Sequence, residues 1–296
     1  MSPPQPPSAR SRSRRSSARS AWSPSRPKNR FFLGGFLLIN PRSGSGRPSA
    51  EELAEEAGRR GVAARILGAD DDAAELARAA DADALGVAGG DGSLAPVAAI
   101  ALERGLPFVC IPFGTRNHFA RDLELDRDAP IQALGAFEGS ERWIDVGRVA
   151  DRLFLNNVSL GLYAQLVHRR EGHRRRREAF AQLRALWLLA RSPRGVQLAV
   201  DGKPVDAQVA LVANNAYTLE LFSPGERSRL DEGRLYLYLA RGWRPHQWEE
   251  RSCDRLTIDA RGHRVDAAVD GEPTALETPL EFSIEQRALR VLVPPG

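Results

Sequence analysis

The spacing of apolar residues divides the chain into two parts of different character. From Phe36 to Ile111, short apolar runs alternate with segments of helical periodicity. The runs predict strands and the segments between them predict helices. In chain order, the predicted elements are strand Phe36–Ile39, helix Ala50–Gly61, strand Val62–Leu67, helix Asp72–Ala80, strand Ala84–Ala88, helix Leu94–Arg104 and strand Phe108–Ile111. This order is typical of a mainly parallel sheet with helices on both faces.

Beyond about Trp143, the apolar segments are short and β-rich, and Gly, Pro, Asn or Asp separate them. This pattern predicts a mostly antiparallel β-sandwich domain, interrupted by one long helix from about Arg174 to Arg191. The strands predicted in it are Arg152–Val158, Val196–Val200, Gln208–Ala213, Gly233–Ala240, Arg255–Ala260, Val265–Val269 and Leu289–Val293. We therefore predict an α/β domain over residues 31–143 and a β-rich domain over 144–296, with segment 270–296 a candidate to return to the cleft between them.

The N-terminal segment, residues 1–30, differs from both domains. It is built from Ser, Arg and Pro and carries a formal charge of +8. Such a composition predicts a disordered basic tail, with a tether to anionic lipid or a transit peptide as alternatives. Because the whole chain has a formal charge of +4, residues 31–296 sum to −4. This mildly acidic body argues against a nucleic-acid partner, which would need a basic groove.

The content of Cys and Lys excludes several kinds of site. The cysteines, Cys110 and Cys253, lie far apart and form no disulfide or metal-ligand pattern, which is typical of a reducing compartment. The lysines are Lys28 and Lys203, and no G-x-x-x-x-G-K-[ST] sequence exists, which excludes a phosphate-loop lysine. No apolar run reaches the roughly 18–20 residues of a transmembrane helix. We therefore expect a cytoplasmic protein.

Three polar, glycine-containing loops follow strands of the predicted parallel sheet. They are Asn40-Pro41-Arg42-Ser43-Gly44-Ser45-Gly46, Gly89-Gly90-Asp91-Gly92-Ser93 and Pro112-Phe113-Gly114-Thr115-Arg116-Asn117. In open α/β sheets, ligands bind beyond the carboxyl ends of the strands. Glycines there let backbone N–H groups approach phosphate oxygens, and a following helix N-terminus favours negative charge. The loops together predict a nucleotide site, in which Asp91 suits magnesium or water, and Thr115 and Asn117 suit phosphate or ribose.

These loops and several later segments resemble the diacylglycerol kinase catalytic family, which includes bacterial lipid kinases, sphingosine kinases and ceramide kinases. The wider superfamily includes NAD kinase and phosphofructokinase. The matching segments, in family order, are Leu38–Gly46, Gly86–Leu94, Ile111–Leu123, Asn156–Gly161, Asn214–Asn215, Leu230–Gly233 and Asp270–Glu272. The resemblance covers nearly all of residues 36–296. It implies a Rossmann-like, NAD kinase-like α/β domain that binds nucleotide, followed by a β-rich domain that binds the lipid.

The resemblance also implies roles for particular residues. Asp231 and Glu232, in a segment that resembles a structural magnesium site, would be metal ligands. Asp270 and Glu272 would act as catalytic acids together with Asp91. The nucleotide-binding residues would be Asn40, Ser43, Gly44, Gly89, Gly90, Asp91, Gly92, Ser93, Thr115 and Asn117.

Phosphoryl transfer requires positioning, charge neutralisation and a carboxylate within reach of the acceptor hydroxyl. Asp270 or Glu272 can supply that carboxylate, and their spacing does not choose between them. In an extended strand, both side chains would point to the same face. The alternative for this Val-Asp-Gly-Glu-Pro segment is an exposed hairpin turn.

Four positions depart from the family pattern. Arg116 and His118 replace a glycine and a frequent acid or asparagine of the third loop, and Arg116 is a candidate to bind phosphate itself. Pro96 stands where many members have Glu, and Glu232 replaces the usual Asp. These changes affect efficiency and metal geometry more than the fold.

The sequence as a whole predicts an ATP-dependent lipid kinase that uses Mg²⁺ and a diacylglycerol-like or sphingoid acceptor. The alternatives are a kinase of a soluble acceptor such as NAD, and a nucleotide-binding protein without catalysis. The basic run His168–Arg177 leads into an apolar helix containing Trp187. This pattern suits peripheral association with a membrane, with an ordinary packed amphipathic helix as the alternative. A homodimer is left open, and the preference for Arg and Ala over Lys indicates a bacterial source.

Overall fold

The structure, a computed structural model, describes residues 34–43, 47–161, 196–207, 209–220, 223–224, 226–240 and 248–295. The predicted basic tail, the predicted helix Arg174–Arg191 and Gly44 of the first loop lie outside these residues. None of the helices within the described ranges combines the length and the apolar character needed to cross a bilayer.

The first part of the described chain alternates strands and helices, and the remainder consists of strands. The helices are α1 (Ala50–Arg59), α2 (Ala73–Ala79), α3 (Asp91–Glu103), α4 (His118–Asp122) and α5 (Pro130–Ala133), and a 3-10 helix spans Leu134–Glu138. The strands are β1 (Gly35–Ile39), β2 (Val62–Ile66), β3 (Ala84–Gly89), β4 (Phe108–Pro112), β5 (Ser140–Val149), β6 (Arg152–Phe154), β7 (Asn157–Gly161), β8 (Val196–Val200), β9 (Lys203–Ala207), β10 (Val209–Asn214), β11 (Leu219–Glu220), β12 (Ser223–Pro224), β13 (Leu235–Ala240), β14 (Trp248–Cys253), β15 (Arg255–Ala260), β16 (Arg264–Val269), β17 (Glu272–Glu277) and β18 (Leu280–Val293).

The first sheet has the strand order β2-β1-β3-β4-β18-β15-β8-β9, and β5 pairs with both β18 and β6. Strands β1 to β4 are parallel to their neighbours, as the sequence predicts. Alternate residues of β1 face opposite sides of this sheet: Leu38 packs in a core cluster with α2 and α3, whereas Leu37 and Ile39 pack in one with α1. Helices therefore cover both faces, because each buried strand presents apolar side chains to both.

The second sheet is antiparallel, with the order β14-β13-β10-β7-β16-β17. Its inner face packs against β5, β15, β8 and β18 of the first sheet, in a core that contains Val158, Val212, Leu237 and Ile258. Phe154 and Phe282 meet edge to face in this core, with ring centroids 6.4 Å apart. The predicted fold class, an α/β sheet and a β-sandwich region, is confirmed.

Three segments differ from the predicted elements. The segment predicted as one strand, Arg152–Val158, forms two strands, β6 and β7, which belong to different sheets. Strand β18 begins at Leu280 rather than Leu289, and its C-terminal part pairs in parallel with β4. The third helix begins at Asp91 rather than Leu94, so the end of the second loop forms the first turn of α3. The boundary predicted at residue 143 lies inside β5.

Candidate active site

Asp91 joins the second loop to the third. Helix α3 begins at this residue, and its carboxylate accepts hydrogen bonds from the backbone N–H groups of His118 at 3.1 Å and Phe119 at 2.9 Å. Those two groups belong to the first turn of α4, where N–H groups have no partner within the helix. The second loop therefore caps the helix that follows the third loop, and this contact fixes the distance between the two loops.

The second and third loops also touch through their backbones. A Cβ atom placed on Gly114 would overlap the Cα of Gly90. Asn117, with φ of 50°, closes the third loop: its Nδ2 donates to the carbonyl of Gly114 at 2.8 Å, and its Oδ1 accepts from the N–H of Gly114 at 2.8 Å. Asn117 is buried, so its amide shapes the loop rather than standing open to a ligand. Its predicted role in nucleotide binding stays a prediction.

The first loop joins this cluster through Asn40. Its Nδ2 donates to the hydroxyl oxygen of Ser93 at 3.0 Å, and its Oδ1 accepts from the N–H of Arg42 at 3.1 Å. Ser43 of the first loop lies near Gly90 of the second: a Cβ atom placed on Gly90 would be 4.0 Å from the hydroxyl oxygen of Ser43. The described part of the first loop, residues 40–43, is thus brought together with the second and third loops, with the first turn of α3 between them.

The side chains at the outer end of the third loop differ in exposure. Thr115 and Arg116 are exposed, which leaves both able to meet a ligand. His118 is half-buried. Burial is the main cause of a lowered pKa of its imidazole, with Arg121 and Arg116 acting in the same direction and the charges of Asp91 and Asp122 acting against them. His118 is therefore a mostly neutral residue beside Asp91 near pH 7.

Asp270 lies in a tight turn and not in an extended strand. Strands β16 and β17 pair through Val269 and Glu272, and Asp270 and Gly271 connect them with φ of 48° and 85°. Positive φ at both positions is the geometry of a two-residue type I′ hairpin turn. The extended strand in which Asp270 and Glu272 would point to the same face therefore does not form. The hairpin alternative was right about the turn, but Asp270 is only 5% exposed.

The carboxylate of Asp270 holds the turn between β6 and β7. It accepts hydrogen bonds from the backbone N–H groups of Leu155 at 2.8 Å, Asn156 at 2.7 Å and Asn157 at 3.1 Å. Burial raises the pKa of Asp270 to about 6; the three hydrogen bonds act against this shift, and the charge of Asp91 adds to it. Asp270 and Asp91 are linked through Asn156, which donates its backbone N–H to Asp270 and its Nδ2 to Asp91.

Glu272 is the acid that reaches the glycine loop. It is the first residue of β17 and is exposed. A Cβ atom placed on Gly92 would overlap its side chain, so the carboxylate lies against the first turn of α3. The acid-bearing turn of the second sheet and the loops of the first sheet consequently form one site.

Asn156 connects the acids on the two sides of this site. Its backbone N–H is bonded to Asp270, and its Nδ2 donates to Oδ1 of Asp91 over 3.4 Å. Its Oδ1 accepts from Nη2 of the buried Arg227 at 2.7 Å, and Arg227 in turn forms an ion pair of 2.7 Å with Asp122. Sequence reasoning assigned no role to Asn156, Arg227 or Asp122. The resemblance included Asn156 and Asp122 in its matching segments, whereas Arg227 carries no local signal.

The predicted metal ligands Asp231 and Glu232 have other partners. Asp231 accepts hydrogen bonds from Arg229 at 3.0 Å and from Arg287 at 2.9 Å, and these arginines outweigh burial and lower the pKa of its carboxyl. Glu232 accepts the N–H of Ala216 at 3.2 Å. In the described parts of the chain, no group of three or more His, Cys, Asp or Glu side chains is arranged to hold a metal ion. The predicted role of Asp231 and Glu232 as metal ligands stays a prediction.

Asp91 is another candidate to bind a magnesium ion. Mg²⁺ in kinase sites is usually held by one or two carboxylates together with substrate phosphates, and not by a cage of protein ligands. Asp91 offers such a carboxylate at the start of α3, between the loops predicted to bind phosphate.

Comparison with known proteins confirms the predicted resemblance. Residues 35–149 match the family model described as the diacylglycerol kinase catalytic domain. A protein of Pseudomonas aeruginosa strain PAO1, described as a probable lipid kinase YegS-like, is 36% identical over 136 residues, which are 44% of this chain and 45% of that protein. One of Pseudomonas fluorescens strain Pf0-1, with the same description, is 36% identical over 81 residues, 27% of this chain and 26% of that protein. The chain thus matches less than half the length of these relatives.

The fold resemblance extends further than the sequence match. The crystal structure of a diacylglycerol kinase from Bacillus anthracis strain Sterne superposes with a TM-score of 0.64 and 16% sequence identity. The superposition covers 89% of this chain and 98% of that chain. The resemblance to the diacylglycerol kinase catalytic family is therefore shown by sequence for the part that carries all three loops, and the β-rich remainder shares the fold of such kinases.

Proposed function

We propose that the protein is an ATP-dependent lipid kinase that transfers the γ-phosphate of ATP to a hydroxyl group of a diacylglycerol-like or sphingoid lipid. One observation carries this proposal: Glu272, from the second sheet, lies on the first turn of α3, where the three glycine-containing loops meet. A site for phosphoryl transfer needs such an arrangement, in which a phosphate cradle and an acid for the acceptor hydroxyl are adjacent.

The loops supply the phosphate cradle. The first N–H groups of α3 have no partner within the helix, and a helix N-terminus attracts negative charge. Gly90 and Gly114 allow the two loop backbones to approach closely, and the side chains of Thr115 and Arg116 are exposed beside them. We assign nucleotide phosphates to this cradle. Asp91 would hold the magnesium ion, whose positive charge offsets the negative charge of the phosphates.

The structure favours different roles for the two acids of the Asp270-Gly271-Glu272 turn. Asp270 is buried and bound to three backbone N–H groups, so it fixes the turn that carries Asn156. Glu272 is exposed and lies at the cradle. We assign Glu272 as the base that takes the proton of the lipid hydroxyl, while that oxygen bonds to the γ-phosphorus and the bond to the leaving ADP oxygen breaks.

A panel of acceptors tests this function. Purified protein is incubated with Mg²⁺ and γ-³²P-labelled ATP, and with diacylglycerol or sphingosine in mixed micelles, NAD, or no acceptor. We expect label in a lipid and a loss of that label in the Asp91→Asn variant. Label in NAD but in no lipid would overturn the assignment of the acceptor. Nucleotide binding without label in any acceptor would favour a binding protein without catalysis.

The acceptor assignment places the protein at a membrane surface while it works. The same reaction on vesicles that contain diacylglycerol checks this expectation, because a peripheral enzyme sediments with the vesicles that it phosphorylates. Peripheral association would be contradicted if the protein is active only on a soluble substrate without detergent and is absent from the vesicle pellet.

A further inference from the structure

Arg227 is a buried cation next to the proposed site. Its side chain and that of Asp122 are both 0% exposed, and Nε of Arg227 donates to Oδ2 of Asp122 at 2.7 Å. Its Nη1 donates to the carbonyl oxygens of Leu155 at 2.7 Å and Asn214 at 3.0 Å, and its guanidinium lies 5.4 Å from the ring centroid of Tyr217. Moving an ion pair from water into a protein core costs free energy, and apolar side chains of similar volume often stabilise the core equally well or better. This pair therefore invites a functional explanation.

The contact between Arg227 and Asn156 sets the direction of an amide. An asparagine side chain has an oxygen that accepts and a nitrogen that donates, and either can point to a given neighbour. Arginine only donates. Because Nη2 of Arg227 lies 2.7 Å from Oδ1 of Asn156, the amide nitrogen must point the other way, towards Asp91.

The direction of this amide determines which of its atoms faces the carboxylate of Asp91. Oδ1 of Asp91 receives the N–H of Phe119 at 2.9 Å and Nδ2 of Asn156 at 3.4 Å. With the amide reversed, Oδ1 of Asn156 would face the carboxylate and repel it. The backbone N–H of Asn156 is at the same time bonded to Asp270, so a shift of this residue disturbs both acids.

We propose that Arg227, held by Asp122, is a positioning residue that orients the amide of Asn156 and thereby fixes Asp91 for phosphoryl transfer. This proposal rests on the proposed kinase function. Arg227 touches neither the glycine loops nor Glu272 in the contacts described above, so it acts through Asn156.

A double-mutant cycle of Arg227→Lys and Asn156→Ala tests the proposal, because lysine keeps the charge beside Asp122 but lacks the fork that reaches Asn156. Each single variant should lower kcat with little change in the KM for ATP, by up to about 100-fold, the size of effect seen when reacting groups are misplaced. The double variant should be no slower than the slower single variant. Losses that multiply in the double variant, or wild-type kcat in Arg227→Lys, would overturn the proposal.

A matched control is Arg104→Lys. Nη1 of Arg104 also donates to two backbone carbonyls, those of Ala77 and Ala80, each at 2.8 Å. This contact joins α2 to the C-terminal end of α3, whereas Asp91 is at the N-terminal end of α3. This variant should keep wild-type kcat. A kcat loss equal to that of Arg227→Lys would show that any bridging arginine has this effect, and would overturn the specific role of Arg227.

A second readout does not depend on activity. The side-chain amide signal of Asn156 in a ¹H–¹⁵N spectrum is assigned by its loss in Asn156→Asp. It should shift in Arg227→Lys and in Asp91→Asn, and stay unchanged in Arg104→Lys. An unmoved signal in either of the first two variants would overturn the positioning role. If the signal shifts in these variants but the wild-type protein phosphorylates no acceptor, the positioning contact stands and the kinase function is rejected.

Discussion

The carboxylate of Glu272 lies over the Cα of Gly92, in the space that a side chain at position 92 would occupy. Glu272 begins β17 of the second sheet, and Gly92 lies in the first turn of α3 beside the first sheet. The absence of a side chain at Gly92 therefore lets an acid from one sheet reach the phosphate cradle of the other.

Gly92→Ala should separate these two groups. The added Cβ would overlap the Glu272 side chain, which must move away. We expect kcat to fall by about 100-fold, because displacements near 1 Å have effects of this size. Gly58→Ala in α1 is the control, since a Cβ placed there meets nothing within 4 Å. Alanine favours helix in both variants, so both should remain folded, and an unchanged kcat in Gly92→Ala would contradict a role for this contact.

Asp91→Asn should abolish turnover in a folded protein. The N–H groups of His118 and Phe119 bond to different carboxylate oxygens of Asp91, so the variant keeps an acceptor for only one of them, and it loses the negative charge proposed to hold magnesium. Asp72→Asn is the same change at the N-cap of α2, where Oδ1 accepts the N–H of Ala74 at 2.7 Å. Asn and Asp cap helices about equally well, so this control should match the wild type in both stability and turnover. Steady-state label transfer and thermal unfolding measure the two effects, and turnover retained by Asp91→Asn would remove Asp91 from the mechanism.

The raised pKa of Asp270 predicts how stability varies with pH. The pKa rises from 3.8 to about 6, mainly through burial, so the folded protein binds this proton more tightly than the unfolded chain. Its contribution to stability is complete below pH about 4 and is lost as the pH rises through about 6. A shift of roughly two pKa units corresponds to at most about 3 kcal/mol.

Asp270→Asn isolates this contribution, because asparagine does not titrate. Urea unfolding at several pH values between about 4 and 7 gives the free energy of unfolding of both proteins. The wild-type value minus the variant value should decrease as the pH rises. A difference that is constant or increases with pH would show that burial does not raise the pKa of Asp270.

The spacing of apolar residues in the sequence was sufficient to predict the strands in the parallel part of the first sheet. Strands β1, β3 and β4 are buried on both faces and read as continuous apolar runs, so they were predicted within a residue or two. Strand β18 was harder, because polar residues such as Glu281 and Glu285 alternate along its first part, and the register shifts between Glu285 and Leu289. The start of α3 was missed because Gly90 and Gly92 indicate a turn in isolation.

The candidate site was predictable only where its residues form local motifs. The three loops are contiguous in sequence and their chemistry is visible there. The alternative interpretation placed the Asp270 turn but made it exposed; the burial of Asp270 depends on the N–H groups of residues 155–157, which lie far away in the sequence. Arg227 looks like a surface arginine in a polar segment, since its partners Asp122 and Asn156 are brought to it only by the fold.

The buried pair of Arg227 and Asp122 should matter for stability as well. Asp122→Asn leaves the guanidinium buried without a counter-charge, and removing one partner of such a pair typically costs about 3–5 kcal/mol. Glu103→Gln is the control, because the side chains of the Arg78–Glu103 pair are 53% and 57% exposed. Exposed pairs contribute about 1 kcal/mol or less. Equal losses of the free energy of unfolding in the two variants would contradict the buried environment of Arg227.

A crystal structure with a non-hydrolysable ATP analogue and Mg²⁺ is the most direct measurement of the central claim. The terminal phosphate should lie at the start of α3, within hydrogen-bond distance of backbone N–H groups of the loops around Gly90 and Gly114. The carboxylate of Glu272 should stand close enough to the γ-phosphorus for one acceptor hydroxyl to fit between them. Phosphates bound elsewhere, or a Glu272 carboxylate turned away from them, would contradict the proposed site.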